Sequence, residues 1–231
     1  MVHRGLVIAI LVLGGIHLAT LQLDYTVIHW VFKLLPMLLI IVLALRAKPI
    51  DRTLMYKGFV VAGLLFSMAG DAFLLNAGDR WFMFGLAAFL IGHLLYIAAM
   101  LKRWRHSWLR LLWTLPIGAY SWFVGSKLHE SITNTDVGGQ SDLWMPVLVY
   151  LCVIAVMCWL AIMSRNGHAA AGAVLFVLSD STLAWNKFVS AVPAAGLLIM
   201  FTYFAAQLLI AGSIANIFAS KKVAKESGVR M

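Results

Sequence analysis

Eight stretches of about 20 mostly apolar residues divide this chain, and each is long enough for a helix to cross a bilayer. They run roughly over 5–21, 27–45, 56–76, 81–101, 108–126, 143–163, 168–188 and 194–218, joined by short polar connections. In hydrocarbon every backbone N–H and C=O must find its partner inside the protein, which leaves helices and closed barrels as spanning structures. Runs of this length are about twice those of a barrel strand, so they predict helices. Composition agrees: 63% of the 231 residues are hydrophobic and 12% are charged, unlike a soluble domain. The expected fold is an all-α integral membrane protein, a bundle of eight transmembrane helices forming a single domain over residues 1–231. His3 and Arg4 ahead of Leu6–Leu13 resemble the opening of a signal peptide. No small-x-small cleavage site follows, so this stretch is read as an uncleaved first span.

The net charge of +9 does not predict a nucleic-acid partner. The basic residues lie in the short connections, where the positive-inside rule puts them. With alternating spans, 14 of the 18 Lys and Arg fall on one side. These are Arg4; Arg46, Lys48, Arg52 and Lys57; Lys102, Arg103, Arg105 and Arg110; Arg165; and Lys221, Lys222, Lys225 and Arg230. The other side receives Arg80 and Lys127, Lys33 and Lys187 near span ends, and Asp24, Asp79, Glu130, Asp136 and Asp142. This split predicts that both termini are cytoplasmic and, in a bacterial cell, that the membrane is the inner one. The longest connection, Lys127–Asp142, is rich in Gly, Asn, Asp and Ser and predicts a surface loop. Cys152 and Cys158 lie six apart on one span and point to different faces, which suits packing or lipid contact rather than a disulfide. No metal-ligand spacing is present, and no cofactor is expected.

Two acids fall inside the spans. Ser67–Asn76 reads SMAGDAFLLN and Phe176–Phe188 reads FVLSDSTLAWNKF. Each places a small residue, then Asp, then Leu three residues on: Gly70-Asp71 with Leu74, and Ser179-Asp180 with Leu183. An ionisable group at membrane depth is costly and marks a candidate functional site. The two spans are four helices apart, as a parallel four-plus-four repeat would make them. Depth along each span predicts one outward-leaning polar pocket. It combines Lys33; Asp71 and Asn76; His93 and Tyr96; Ser179, Asp180, Asn186 and Lys187; and Tyr203 and Gln207. Each also has a structural reading. An Asp near a helix end can snorkel or cap, His93 can bond a neighbouring helix, the tyrosines can pack, and Ser179 can bond its own helix. His17 and His29 carry no pattern and are read as structural.

The polar segments resemble a known family. KLLPMLL at Lys33–Leu39, GDAFLL at Gly70–Leu75, FGLAAFLIGHLLYI at Phe84–Ile97, SDSTLAWNKF at Ser179–Phe188 and YFAAQLLI at Tyr203–Ile210 occur in the order found in YhhN-type membrane proteins. This is the lysoplasmalogenase family, which includes eukaryotic multispanning members. The first, fifth and sixth spans match only in hydrophobicity. The resemblance implies hydrolysis of the vinyl-ether bond of lysoplasmalogens, giving a fatty aldehyde and a glycerophospho-alcohol. It puts Asp71, His93, Tyr96, Asp180, Asn186 and Gln207 on family motif positions. The implied partner is a lysophospholipid in the bilayer; no protein partner is indicated.

Two carboxyls suit that reaction. One, kept protonated, delivers a proton to the β-carbon; the other, ionised, stabilises the oxocarbenium-like cation and activates water, as in glycoside hydrolysis. Hydrogen bonds from Ser179, Asn186 and Lys187 are expected to hold Asp180 ionised as the base, leaving Asp71 as the acid. Lys33 and Lys187 are expected to meet the phosphate. Two other classes fit the same acids: a proton-coupled or lipid transporter with an Asp/His relay, and a diaspartyl intramembrane protease. The protease pattern wants a Tyr-Asp pair where this chain has Ser179-Asp180.

Overall fold

The structure is a computed structural model describing residues 2–20, 26–49, 54–134 and 141–215, without the side chains of 2, 3, 26–29 and 141. Among these residues all regular structure is helical: α1 Val2–Thr20, α2 Thr26–Arg46, α3 Leu54–Leu74, α4 Asp79–Leu101, α5 Trp108–Leu111, α6 Thr114–Thr133, α7 Trp144–Met163, α8 Gly167–Phe188 and α9 Ala195–Gly212. All but the one-turn α5 are long, and α3, α4, α7, α8 and α9 are long and apolar enough to cross a membrane. The apolar part of α1, Arg4–Thr20, is shorter. The chain is thus a multi-pass integral membrane protein.

Small residues set the tightest packing. α3 and α4 make the most extensive contact, followed by α8 and α9. A Cβ on Gly63 of α3 would come within 2.3 Å of the Tyr96 ring on α4, and one on Gly172 of α8 within 2.9 Å of the Ala206 carbonyl on α9. Between helices in lipid, such close approach gains dispersion contact that larger side chains would prevent. The turn after α3 needs Gly78, at φ 108°, to bring Asp79 back to the mouth of the bundle.

Basic side chains gather at the opposite end and close helix C-termini. Lys57 Nζ donates to the Leu45 carbonyl of α2 at 2.6 Å and to the Ala47 carbonyl just past it at 3.0 Å. Arg110 Nη1 donates to Ile162 O of α7 at 2.6 Å, and Arg103 Nη1 to Ser213 O after α9 at 2.8 Å. These carbonyls lie in the last turn of a helix or just past its end, where few amides remain to bond them and the helix dipoles place negative potential. Of the residues used to orient the chain, Asp24, Arg52, Asp136, Lys221, Lys222, Lys225 and Arg230 lie outside the described residues.

The fifth apolar stretch folds differently from its hydropathy. Trp108–Leu111 makes a separate turn, and α6 continues through Lys127–Thr133, where composition predicts a loop. Val124, Leu128 and Ile132 repeat every four residues and bury against Val147 of α7. Lys127 pairs with Glu130 at 3.0 Å on the outer face. This amphipathic stripe outweighs the polar composition.

Candidate active site

Seven helices, α1 to α4 and α7 to α9, carry polar groups to the site. Asp71 sits one turn from the end of α3, and Asp180 lies in the second half of α8. Both line a cavity of about 420 Å3, within the range of small-molecule sites. Lys33, Asn76, Ser179, Lys187 and Tyr203 line it as well, together with His17 of α1. A larger groove of about 780 Å3 between α6 and α7 is almost wholly apolar and includes neither acid.

The two acids have different donors. Asp71 is buried, at 3% exposure. Tyr203 Oη donates to its Oδ2 at 2.5 Å, and Lys33 Nζ lies 3.7 Å from its Oδ1. Asp180 receives both its partners on Oδ2. The Tyr150 hydroxyl donates to it, and His93 Nε2 lies at 3.3 Å. His93 Nε2 is also 2.8 Å from Tyr150 Oη. The hydrogen bonds from Tyr203 to Asp71 and from Tyr150 to Asp180 hold each carboxyl in place, a typical one contributing about 0.5–1.5 kcal/mol.

The remaining candidates separate. Tyr96 and Gln207 are fully buried and bond each other, Tyr96 Oη donating to Gln207 Oε1 at 2.7 Å. They support the site without lining the cavity. Asn186 turns away: its Oδ1 accepts from the Val192 amide at 2.9 Å and closes the turn after α8. Ser179 donates to Ile199 O at 3.1 Å, and Lys187 pairs with Asp79 at 3.0 Å. None of the three residues expected to hold Asp180 ionised does so. Each has a nearer backbone or ion-pair partner, so that part of the base assignment is corrected. Lys33 lies beside Asp71 and lines the same cavity.

Sequence reasoning missed two residues. Tyr150 lies in an apolar run of α7 that has no polar pattern, where a tyrosine resembles packing. His17 is buried at 2% exposure and sets its ring edge-on to Phe204 at 5.8 Å. Only their position on the cavity or beside Asp180 distinguishes them.

A model of the YhhN family matches residues 28–214, most of the chain and all of these site groups except His17. The chain belongs to the YhhN family. It is 33% identical over 187 residues to the lysoplasmalogenase TMEM86B of Sus scrofa, a match covering 81% of this chain and 76% of that protein. Against the lysoplasmalogenase TMEM86B of Homo sapiens identity is 37% over 155 residues, covering 67% of this chain and 62% of the relative. A lysoplasmalogenase of Mycobacterium tuberculosis is 30% identical over 185 residues, covering 75% of this chain and 66% of its own. No solved structure matches the chain.

Proposed function

We propose that this YhhN family member hydrolyses the vinyl-ether bond of lysoplasmalogens, releasing a fatty aldehyde and a glycerophospho-alcohol. The frame proposed is a single domain of eight spans with both termini cytoplasmic and the cavity facing the other side. The observation that carries the reading is the pair of carboxyls on one cavity, in a chain whose relatives are lysoplasmalogenases.

The chemistry balances on two acids. The protonated carboxyl gives its proton to the β-carbon, the C=C pair forms the new C–H bond, and positive charge develops at the ether-linked carbon. The ionised carboxyl faces that charge and takes a proton from the attacking water. The hemiacetal then breaks at the glycerol oxygen. That oxygen receives the water-derived proton, and the hemiacetal hydroxyl returns a proton to the first carboxyl. General acid–base help of this kind contributes about 10²–10⁴-fold. The Asp79–Lys187 pair at the mouth and Lys33 deeper in offer charge to a head group.

Access favours hydrolysis over transport. The cavity opens at one end, while the other is filled by Tyr56, Met100 and Ser213, with the Tyr56 and Ser213 hydroxyls 2.7 Å apart. A carrier must open at both. The test is purified protein given an alkenyl and an ester lysolipid side by side. Aldehyde from the first without fatty acid from the second supports the reading; fatty acid alone or neither product rejects it.

A further inference from the structure

The unlike donors of the two acids determine where a proton can sit. On Asp71 both oxygens face donors, Lys33 at Oδ1 and Tyr203 at Oδ2, which suits a carboxylate. On Asp180 both neighbours, Tyr150 Oη and His93 Nε2, lie against Oδ2, which leaves Oδ1 to carry a hydrogen. The Asp180 side chain is also the more open, at 13% exposure against 4% for Asp71.

His93 fixes the direction of the hydrogen bonds. Its ring is fully buried and sits edge-on to Phe176 at 4.6 Å. Its Nδ1 is buried with no hydrogen-bond partner. A hydrogen there would be a buried donor with no acceptor, and such orphan donors are rarer than under-used acceptors. The hydrogen therefore belongs on Nε2, which has Tyr150 Oη at 2.8 Å to receive it. With Nε2–H pointing at the Tyr150 oxygen, the tyrosine hydrogen points at Asp180 Oδ2.

We propose that Asp180 is the proton donor, through Oδ1, that Asp71 is the ionised partner, and that Tyr150 and His93 are positioning residues for Asp180. The proposal rests on the hydrolase reading and reverses the roles expected from sequence. When Oδ1–H passes its proton to the β-carbon, Asp180 becomes a carboxylate. The Tyr150 hydroxyl then faces a full charge on Oδ2, so its bond strengthens as the proton leaves. An interaction that grows toward the transition state appears in kcat and leaves KM nearly unchanged.

Two substitutions separate this from a packing role. Tyr150→Phe keeps the ring and deletes the donor. It should lower kcat for aldehyde release by about 10–100-fold with KM within about twofold, and enlarge the solvent deuterium isotope effect on kcat. His93→Gln places an amide N–H near the Nε2 position and should keep most of the activity. His93→Asn places its amide near Nδ1 and should lose as much as Tyr150→Phe. Thermal melting in detergent establishes that each variant is folded, and the Gln/Asn contrast decides the matter if Tyr150→Phe is not. An active wild type with Tyr150→Phe at wild-type kcat, or with His93→Gln and His93→Asn equally impaired, overturns the positioning proposal alone. A wild type that releases no aldehyde overturns the hydrolase reading and this proposal with it.

Discussion

Asp71 and Asp180 were legible in the sequence because ionisable groups in apolar runs need a reason. His93 was legible for the same reason. Tyr150 was not: a phenol among Val, Leu and Ile carries no polar signal until a carboxyl is seen beside it. Asn186 failed in the opposite direction, since a polar residue near the end of α8 looked like part of the site and instead holds a turn. Asp71→Asn and Asp180→Asn keep size and shape but can neither deliver nor accept the catalytic proton. Each should reduce aldehyde release by about 10²–10⁴-fold in steady-state assays. Melting should change little for Asp180→Asn, whose partners are neutral. The Lys33 left by Asp71→Asn lines the cavity, where water can solvate it. A variant with wild-type turnover would remove that acid from the mechanism.

Helix existence was plain from run length, yet helix ends followed tertiary contacts. The last two turns of α6 read as loop because they run into the Gly-, Asn-, Asp- and Ser-rich stretch that follows, and they fold because Val124, Leu128 and Ile132 share a buried stripe. The contacts between helices also cross. Asp71 on α3 takes Lys33 from α2, in its own half of the chain, and Tyr203 from α9 in the other half. Asp180 on α8 takes Tyr150 from α7 and His93 from α4 in the same pattern. A parallel repeat would give this exchange, with each half completing the other's acid. The close α8–α9 approach that positions Asp180 is testable at Gly172. An added Cβ meets backbone atoms of Ala206 and Ile210 at 2.9 and 3.1 Å, which cannot swing aside. Gly172→Ala should lower stability by about 1–3 kcal/mol, read as a lower melting temperature. Gly118 of α6 has nothing within 4 Å of its added Cβ, so Gly118→Ala should melt at or slightly above wild type.

The whole molecule separates its charges by end, basic side chains capping helix C-termini at one and the two-acid cavity opening at the other. In a variant with Cys152 and Cys158 replaced, single cysteines at Ala77 and His106 report that separation. Both positions are exposed and lie in connections at opposite ends of α4. A membrane-impermeant maleimide should label Ala77→Cys from outside intact cells and His106→Cys only after permeabilisation; labelling of both from one side would contradict the topology. The central claim is that an aspartate protonates carbon in the step that limits turnover. Aldehyde release from an alkenyl lysolipid is measured in H2O and in D2O for the wild-type protein and for Asp180→Asn. The account predicts slower release in D2O for the wild type and almost none from Asp180→Asn, while equal wild-type rates in the two solvents, or wild-type release by Asp180→Asn, would contradict it.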